Sequence, residues 1–275
     1  SRLAGTGQPP NYLLDQREHL LDQLSAKVAV TVVPQDNGAI HVFLGRGQAL
    51  VLGPTAFRLE TQPDSFQAER MTVVLKGEFT TADVSNSLTG GSIGGYLDFQ
   101  HQMLDPTRDA LGRIAVAFTD AVNTQQRSGM DLTGALGADM FTVGAPAVLA
   151  ARENTGSASL VGTRTSSAGL QATDYIMQRT ATGWNLTRND TGAAVTMTGT
   201  GSNIDPFMAD GIAIEVSGAA ATGDRFLIQP VRQAISGMAM TISLPAEIAA
   251  AAPIRAAANA GNLGTASTTL GEVLD

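Results

Sequence analysis

The side chains able to carry chemistry are few in this chain, and they do not converge. Its three histidines, His19, His41 and His101, are far apart, and none belongs to a His-Glu-x-x-His zinc pair. His19 and His101 fall on two stretches that read as helices expected to pack together. There they fit surface or interface polar residues better than ligands of a shared metal. Serine is common, but no Gly-x-Ser-x-Gly elbow presents a nucleophile. The stretch Asp131–Asp139, DLTGALGAD, has the outline of a calcium loop. Thr133 and Ala135 stand at its third and fifth positions, where an EF-hand needs carboxylate or amide donors, so it reads as a turn. Asp205, Asp210 and Asp224 lie among turn residues, which is reason enough for aspartate there. Gly90, Gly91, Gly94 and Gly95 open a helical run, but neither the spacing nor a lysine of a phosphate loop is present. With no cysteine, disulfides, thiolate metal sites and thiol nucleophiles are excluded. We expect no catalytic residue, no metal site and no cofactor: not an enzyme.

The elements around these residues are more informative. Gly90–Arg127, GGSIGGYLDFQHQMLDPTRDALGRIAVAFTDAVNTQQR, reads as one long amphipathic helix with Ser92 as N-cap and Gly129 after its end. Its stripe is Ile93, Leu97, Leu104, Leu111, Ile114, Ala115, Phe118, Ala121 and Val122. A helix this long, roughly 50–55 Å at about 1.5 Å per residue, is a rod of the kind that bundles. Pro106 removes a backbone donor within it. It predicts either a kink near Gln102–Asp105 or two helices, the second capped by Asp105 with Pro106 at its first position. Leu97, Leu104, Leu111 and Phe118 are seven apart, which favours one kinked rod. A second amphipathic helix, capped by Asn11, carries Leu13, Leu14, Leu20, Leu21, Leu24 and Val28 on one face and is the rod's expected partner. Leu14, Leu21, Leu97, Leu104, Leu111 and Phe118 are the candidate packing or subunit-interface positions.

Between the helices the period changes to two. Val28 to about Phe79 reads as a small antiparallel β unit, with Asp36-Asn37-Gly38 as a hairpin turn. After Arg127 comes a glycine-punctuated loop, and a domain boundary is expected near Val143–Pro146. Short strand-like runs such as ASLVGTR, TDYIMQRT, GWNLTRN, GIAIEVSG and DRFLIQPV then recur between Gly, Asn, Asp and Pro. That pattern predicts a sandwich or a partly open barrel. A short helical turn is expected around Ala246–Ala252. The fold class is thus α+β and multidomain: a helical stem over 1–145 with a β insertion at about 28–80, and a mainly β outer domain over 146–275.

Composition agrees. The 275 residues are 43% hydrophobic and 15% charged, as in a folded protein, and only 5% aromatic. A net charge of −8 without a basic cluster argues against nucleic-acid binding. No apolar run is long enough for a membrane span, and the opening SRLAGTGQPP has no apolar core of a signal peptide. The chain does not begin with Met, and it reads as an excised piece of a longer one.

Two blocks then resemble a known family. NYLLDQREHLLDQLSAKVAVTVVPQDNGAIHVFLGRGQALVLG and GGSIGGYLDFQHQMLDPTRDALGRIAVAFTDAVNTQQRSGMDLTGALGADMF resemble the bacterial flagellar hook–filament junction proteins, the first of the hook-associated axial proteins. The resemblance is dense over Asn11–Phe141. Beyond that it is carried by GDRFLIQPVRQA, Gly223–Ala234. It implies a non-enzymatic, extracellular component of the flagellum, exported unfolded, that joins hook to filament by subunit packing of its helical stem. The implied partners are hook protein, neighbouring copies, the next junction protein and an export chaperone acting on a terminus outside this chain. The family's terminal assembly helices would be missing here, so the piece itself is expected to be monomeric. The alternative reading is an extracellular binding module or adhesin built on the β domain, with Trp184 as the sole tryptophan for a sugar platform.

Overall fold

The computed structural model describes residues 11–252 apart from 37 and 79, together with 261, 264 and 265. Ser1–Pro10, Asn37 and most of the tail GNLGTASTTLGEVLD lie outside the described residues. By compactness the chain divides into two units, 1–107 with 151–153, and 108–150 with 154–275.

In the first unit, helix α1 (Asn11–Ser25) is followed by strands β1 (Val30–Pro34), β2 (Ile40–Leu44), β3 (Gln48–Leu52) and β4 (Thr55–Ala56) in one antiparallel sheet of that order. A second sheet holds β5 (Arg58–Pro63), β6 (Met71–Lys76) and β7 (Thr81–Asp83). The β unit is therefore two sheets and runs on to Asp83. In β2 and β6 alternate residues point inward, so Val42, Leu44 and Val74 are buried, as a half-buried strand requires. Val28, Leu44, Val84, Leu88 and Leu97 form this unit's core.

No residue of α1 is buried. Its leucines Leu13, Leu20, Leu21 and Leu24 instead line, with Ile40, Val42, Leu50 and Val51, an open apolar cavity of about 360 Å³ over the first sheet. The expected side-by-side packing of α1 on the rod gives way to a joint at the helix ends, where Ser92 and Ile93 N–H donate to the Ala26 and Lys27 carbonyls. The joint is tight: Gly91, at φ +60°, lies so close to the Lys27–Val28 peptide that a Cβ would stand 2.3 Å from it.

The long helix is continuous, in three parts: α2 (Gly91–Asp98), a π-helical turn (Phe99–Leu104) and α3 (Asp105–Arg127). Its N-cap is Gly90 rather than Ser92. The chain neither breaks nor restarts at Asp105, whose own φ and ψ are helical and whose N–H donates to the Gln100 carbonyl five residues back. The helix thus answers Pro106 with a wider turn ahead of it, in place of the two-helix alternative.

In the second unit a five-stranded sheet runs β13 (Ala194–Val195), β12 (Trp184–Arg188), β11 (Tyr175–Arg179), β16 (Arg225–Gln229), β9 (Ala147–Ala150). A three-stranded sheet runs β10 (Ser159–Arg164), β15 (Ile212–Ser217), β14 (Phe207–Ala209). Leu160, Ile212 and Ile214 from the smaller sheet share a core with Tyr175, Met177, Leu186, Phe226 and Ile228 from the larger. This is a sandwich of two antiparallel sheets. Ala115 and Val116 of α3 join the same core. A short ladder pairs β8 (Phe141–Thr142) with β17 (Ala239–Met240), and a 3-10 turn at Pro245–Glu247 stands where a helical turn was expected slightly later. The α+β fold expected from the sequence is the one observed.

Candidate functional site

A helix on a protein surface ordinarily turns its apolar stripe inward. In the second unit α3 does the reverse. Its buried residues are Asp109, Gly112, Ala115, Val116, Thr119, Asn123 and Gln126, while Leu111, Ile114 and Phe118 are exposed, Ile114 by 64%.

Specific polar contacts hold the inward face. Asp109 accepts from Arg232 Nε at 3.0 Å and Nη2 at 2.9 Å, a two-pronged pair. The same Nη2 lies 2.9 Å from Asp174 Oδ2, which also accepts from Gln229 Nε2 at 2.8 Å. Asn123 acts as a detached strand residue: its Oδ1 accepts from Met140 and Phe141 N–H at 2.9 and 3.0 Å, and its Nδ2 donates to the Phe141 carbonyl at 2.8 Å. Gln126 donates to the Glu247 carbonyl at 2.6 Å and accepts from Ala249 N–H at 3.2 Å. Gly112 allows the close approach, since a Cβ there would stand 2.0 Å from the Val231 carbonyl oxygen. Ser167 donates to Asp120, and Arg127 pairs with Asp139.

In the first unit the same helix leaves Tyr96, Phe99, Met103 and Leu104 exposed, Tyr96 by 77%. Arg70, from the loop before β6, fastens the π turn. It pairs with Asp105 at 2.8 Å, and with the Gln100 amide turned to face it, its Nε and Nη2 donate to the Gln100 oxygen at 2.6 and 2.9 Å. His101 sits half-buried beside it, its pKa lowered by burial first and the Arg70 charge second.

The residues singled out in the sequence therefore separate. Leu104, Leu111 and Phe118 point outward, while Leu97 belongs to the first unit's core and Leu14 and Leu21 are half-buried on α1. The heptad through Leu97 does not stay in phase, because the π turn intervenes. Arg70, Asp109, Asn123, Gln126 and Arg232 went unread. A signal for the inward face did exist: positions 109, 112, 116, 119, 123 and 126 form a 3-4-3-4-3 stripe of small and polar residues.

The remaining reactive groups serve the fold. Among the described residues no three His, Cys, Asp or Glu could together hold a metal ion. His19 pairs with Gln23, and His41 Nδ1 accepts from Gly53 N–H. Asp131 closes its own turn, accepting from Thr133 N–H, the Thr133 hydroxyl and Ala135 N–H, and these bonds lower its pKa. Asp224 is held low in the same way by the N–H groups of Thr155, Ala221 and Gly156. Tyr175, its pKa raised by burial and then by its bond to Asp210, ties the Asp210 turn to β11, and Arg188 pairs with the same carboxylate. Trp184 packs on Phe226 at 5.9 Å between ring centres, with the Arg179 guanidinium over it, so it is not a free sugar platform. Among the described residues no helix is long and apolar enough to cross a membrane.

Comparison with known proteins bears on what an outward apolar stripe is for. Residues 1–141 match the family model described as the flagellar hook-associated protein FlgK helical domain, and residues 149–230 match that of a flagellar hook-associated protein 1, D2-like domain. The family domains thus change over between 141 and 149, whereas compactness divides the chain within the helix. The chain is 37% identical over 255 residues to the flagellar hook-associated protein 1 of Escherichia coli K12, covering 91% of this chain and 46% of that protein. It is 38% identical over 250 residues to the Salmonella typhimurium protein of the same name, covering 90% and 45%. The solved structure of the flagellar hook junction protein FlgK from Burkholderia pseudomallei superimposes with a TM-score of 0.77 at 36% identity, over 88% of this chain and 45% of that one. The chain spans about half the length of the relatives it matches.

Proposed function

This chain belongs to the flagellar hook-associated protein 1 family, and from that premise we propose that it is the stem and first outer domain of an adaptor joining hook to filament. The role is structural, and no step of chemistry is assigned to it. Residues 1–145 are the stem part and 146–275 the outer part. The single observation that carries the reading is the exposed apolar stripe on α3, set opposite a buried face pinned by Asp109, Asn123 and Gln126. Exposed aliphatic and aromatic side chains at helical spacing are what a neighbouring helix buries. A closed ring needs head-to-tail contacts that repeat from copy to copy, and a long helix offers the lateral surface for them.

The partners in this reading are neighbouring copies, hook protein on one side and the next junction protein on the other. It is exported and works outside the cell as part of the flagellum, and a chaperone engages a terminus outside this chain. The isolated 275-residue piece is a monomer in solution. Electron microscopy of isolated hooks mixed with the full-length parent protein is the test. We expect binding at the distal hook end, and loss of binding when Leu111, Ile114 and Phe118 are all changed to Ser. Absence of binding by the unmodified parent sinks the adaptor reading; undiminished binding by the triple variant removes the stripe from it. Light scattering of the isolated piece checks the monomer.

A further inference from the structure

Both helix ends at the joint between α1 and α2 lack their ordinary caps. The first N–H groups of a helix and its last C=O groups have no partner within it, and capping side chains or complementary charges usually answer them. At the start of α2 the N-cap is Gly90, which has no side chain to offer, and no acidic residue stands in the first turn. At the other end of the joint, α1 has no basic residue in its last turn. Each end instead answers the other. Ser92 N–H donates to the Ala26 carbonyl at 3.1 Å and Ile93 N–H to the Lys27 carbonyl at 2.8 Å, in the turn that closes α1. The next donor, Gly94 N–H, reaches the Gly90 carbonyl at 3.1 Å. Successive donors 92, 93 and 94 thus find acceptors 26, 27 and 90, where a plain helix would offer 88, 89 and 90. Ala26 and Lys27 take the places of 88 and 89, and the chain between Lys27 and Gly90 leaves the helix and returns to it. Ala29 N–H donates to the Thr89 carbonyl at 2.7 Å and closes the neck of that excursion. Glycines give the room. A Cβ on Gly91 would stand 2.3 Å from the Lys27 carbonyl carbon and one on Gly94 2.5 Å from that of Thr89, whereas one on Gly95 would meet nothing within 4 Å.

We propose that α1 is the cap of the long helix, a conformational device in which the first turn of α2 is held by backbone acceptors of a helix that precedes the whole β unit in sequence. The two helices share one hydrogen-bond ladder, with residues 28–89 looped out of it. The opposed ends of their dipoles add to the joint. No residue of α1 is buried, and its leucines line only the open cavity over the first sheet, so the cap is lightly held. Displacing α1 frees Ser92 and Ile93 and frays the start of the long helix. The two donors that a phosphate would use at this N-terminus are taken by α1.

Amide hydrogen exchange of the 275-residue chain, read residue by residue by NMR, is the test. The first-turn amides of an ordinary helix have no partner and exchange freely. Ser92 and Ile93 should instead be protected, as amides inside α2 are. Free exchange of both in the unmodified chain overturns the proposal. Gln23→Pro removes a backbone donor near the end of α1 and should unwind that end. Ser92 and Ile93 should then lose protection while the amides of β2 and β6 keep theirs. Protection that survives Gln23→Pro belongs to another acceptor and overturns the proposal. Should β2 and β6 open as well, Gly91→Ala decides, because it leaves α1 whole and presses a methyl against the Lys27–Val28 peptide. The same two amides should lose protection in that variant and keep it in Gly95→Ala, where the added methyl has open space. Retained protection in Gly91→Ala, or its loss in Gly95→Ala as well, overturns the proposal.

Discussion

The two faces of α3 invite comparison, because each does what the other's composition would ordinarily predict. The inward face is held by carboxylate, guanidinium and amide groups that find specific partners: Asp109 on Arg232, Asn123 on the Met140–Phe141 backbone, Gln126 on Glu247 and Ala249. The outward face leaves Ile114 largely exposed and Leu111 and Phe118 about half exposed, Phe118 with its ring against Phe141. Burying polar groups costs free energy unless each is satisfied, so such a face tolerates few arrangements. Apolar burial is non-directional and tolerates many. The helix makes its specific contacts inside its own chain and leaves its non-directional surface exposed.

The largest effect should come from breaking the ionic half of the inward face. Arg232→Met leaves Asp109 and Asp174 buried without their shared cation. Removing one partner of a buried pair costs about 3–5 kcal/mol. Urea unfolding of the isolated chain should show that loss, and a change below about 1 kcal/mol would mean that the pair is screened by water. Asn123→Ala comes next. It removes three hydrogen bonds and strands the Met140 and Phe141 backbone groups, at about 2–3 kcal/mol. The same unfolding curve reports it. The outward face should behave oppositely: Ile114→Ser should shift stability by no more than about 0.5 kcal/mol, as expected of an exposed position. A larger cost would show that Ile114 is packed within its own chain, and the contrast between the faces would collapse.

Much of this architecture was legible in the sequence. Period-two runs such as SLVGTR and YIMQR became β10 and β11 with Leu160, Tyr175 and Met177 inward, because alternation is a local property of a strand. The long helix was legible from its periodicity. Which side of it faces inward was not, because hydrophobicity alone assigns Leu111 and Phe118 to a core. Only the pairing with Arg232, 123 residues from Asp109, reverses that assignment. The π turn was hidden for a related reason. Pro106 announced a disturbance, but a kink, a restart and a widened turn all satisfy a missing N–H. In the structure the widened turn is held by Arg70, which reaches it from 35 residues before Asp105. Leu97 is buried in the first unit's core while Leu104, seven residues on, is exposed, because a heptad counted through a π turn changes face.

The smallest expected effect lies at that turn. His101 has its pKa lowered by burial and by the Arg70 guanidinium, against the opposing pull of Asp105, Asp98 and Asp83. The folded chain therefore binds a proton at this imidazole less readily than the unfolded chain does. Its contribution to stability is complete above the ordinary value of 6.5 and is lost as pH falls through the lower folded value. Thermal unfolding of the isolated chain at pH 7.5 and pH 5 should show a slightly lower midpoint in acid. His101→Gln, with no proton to take up, should reduce that acid-side difference. An unchanged difference would remove His101 as its source.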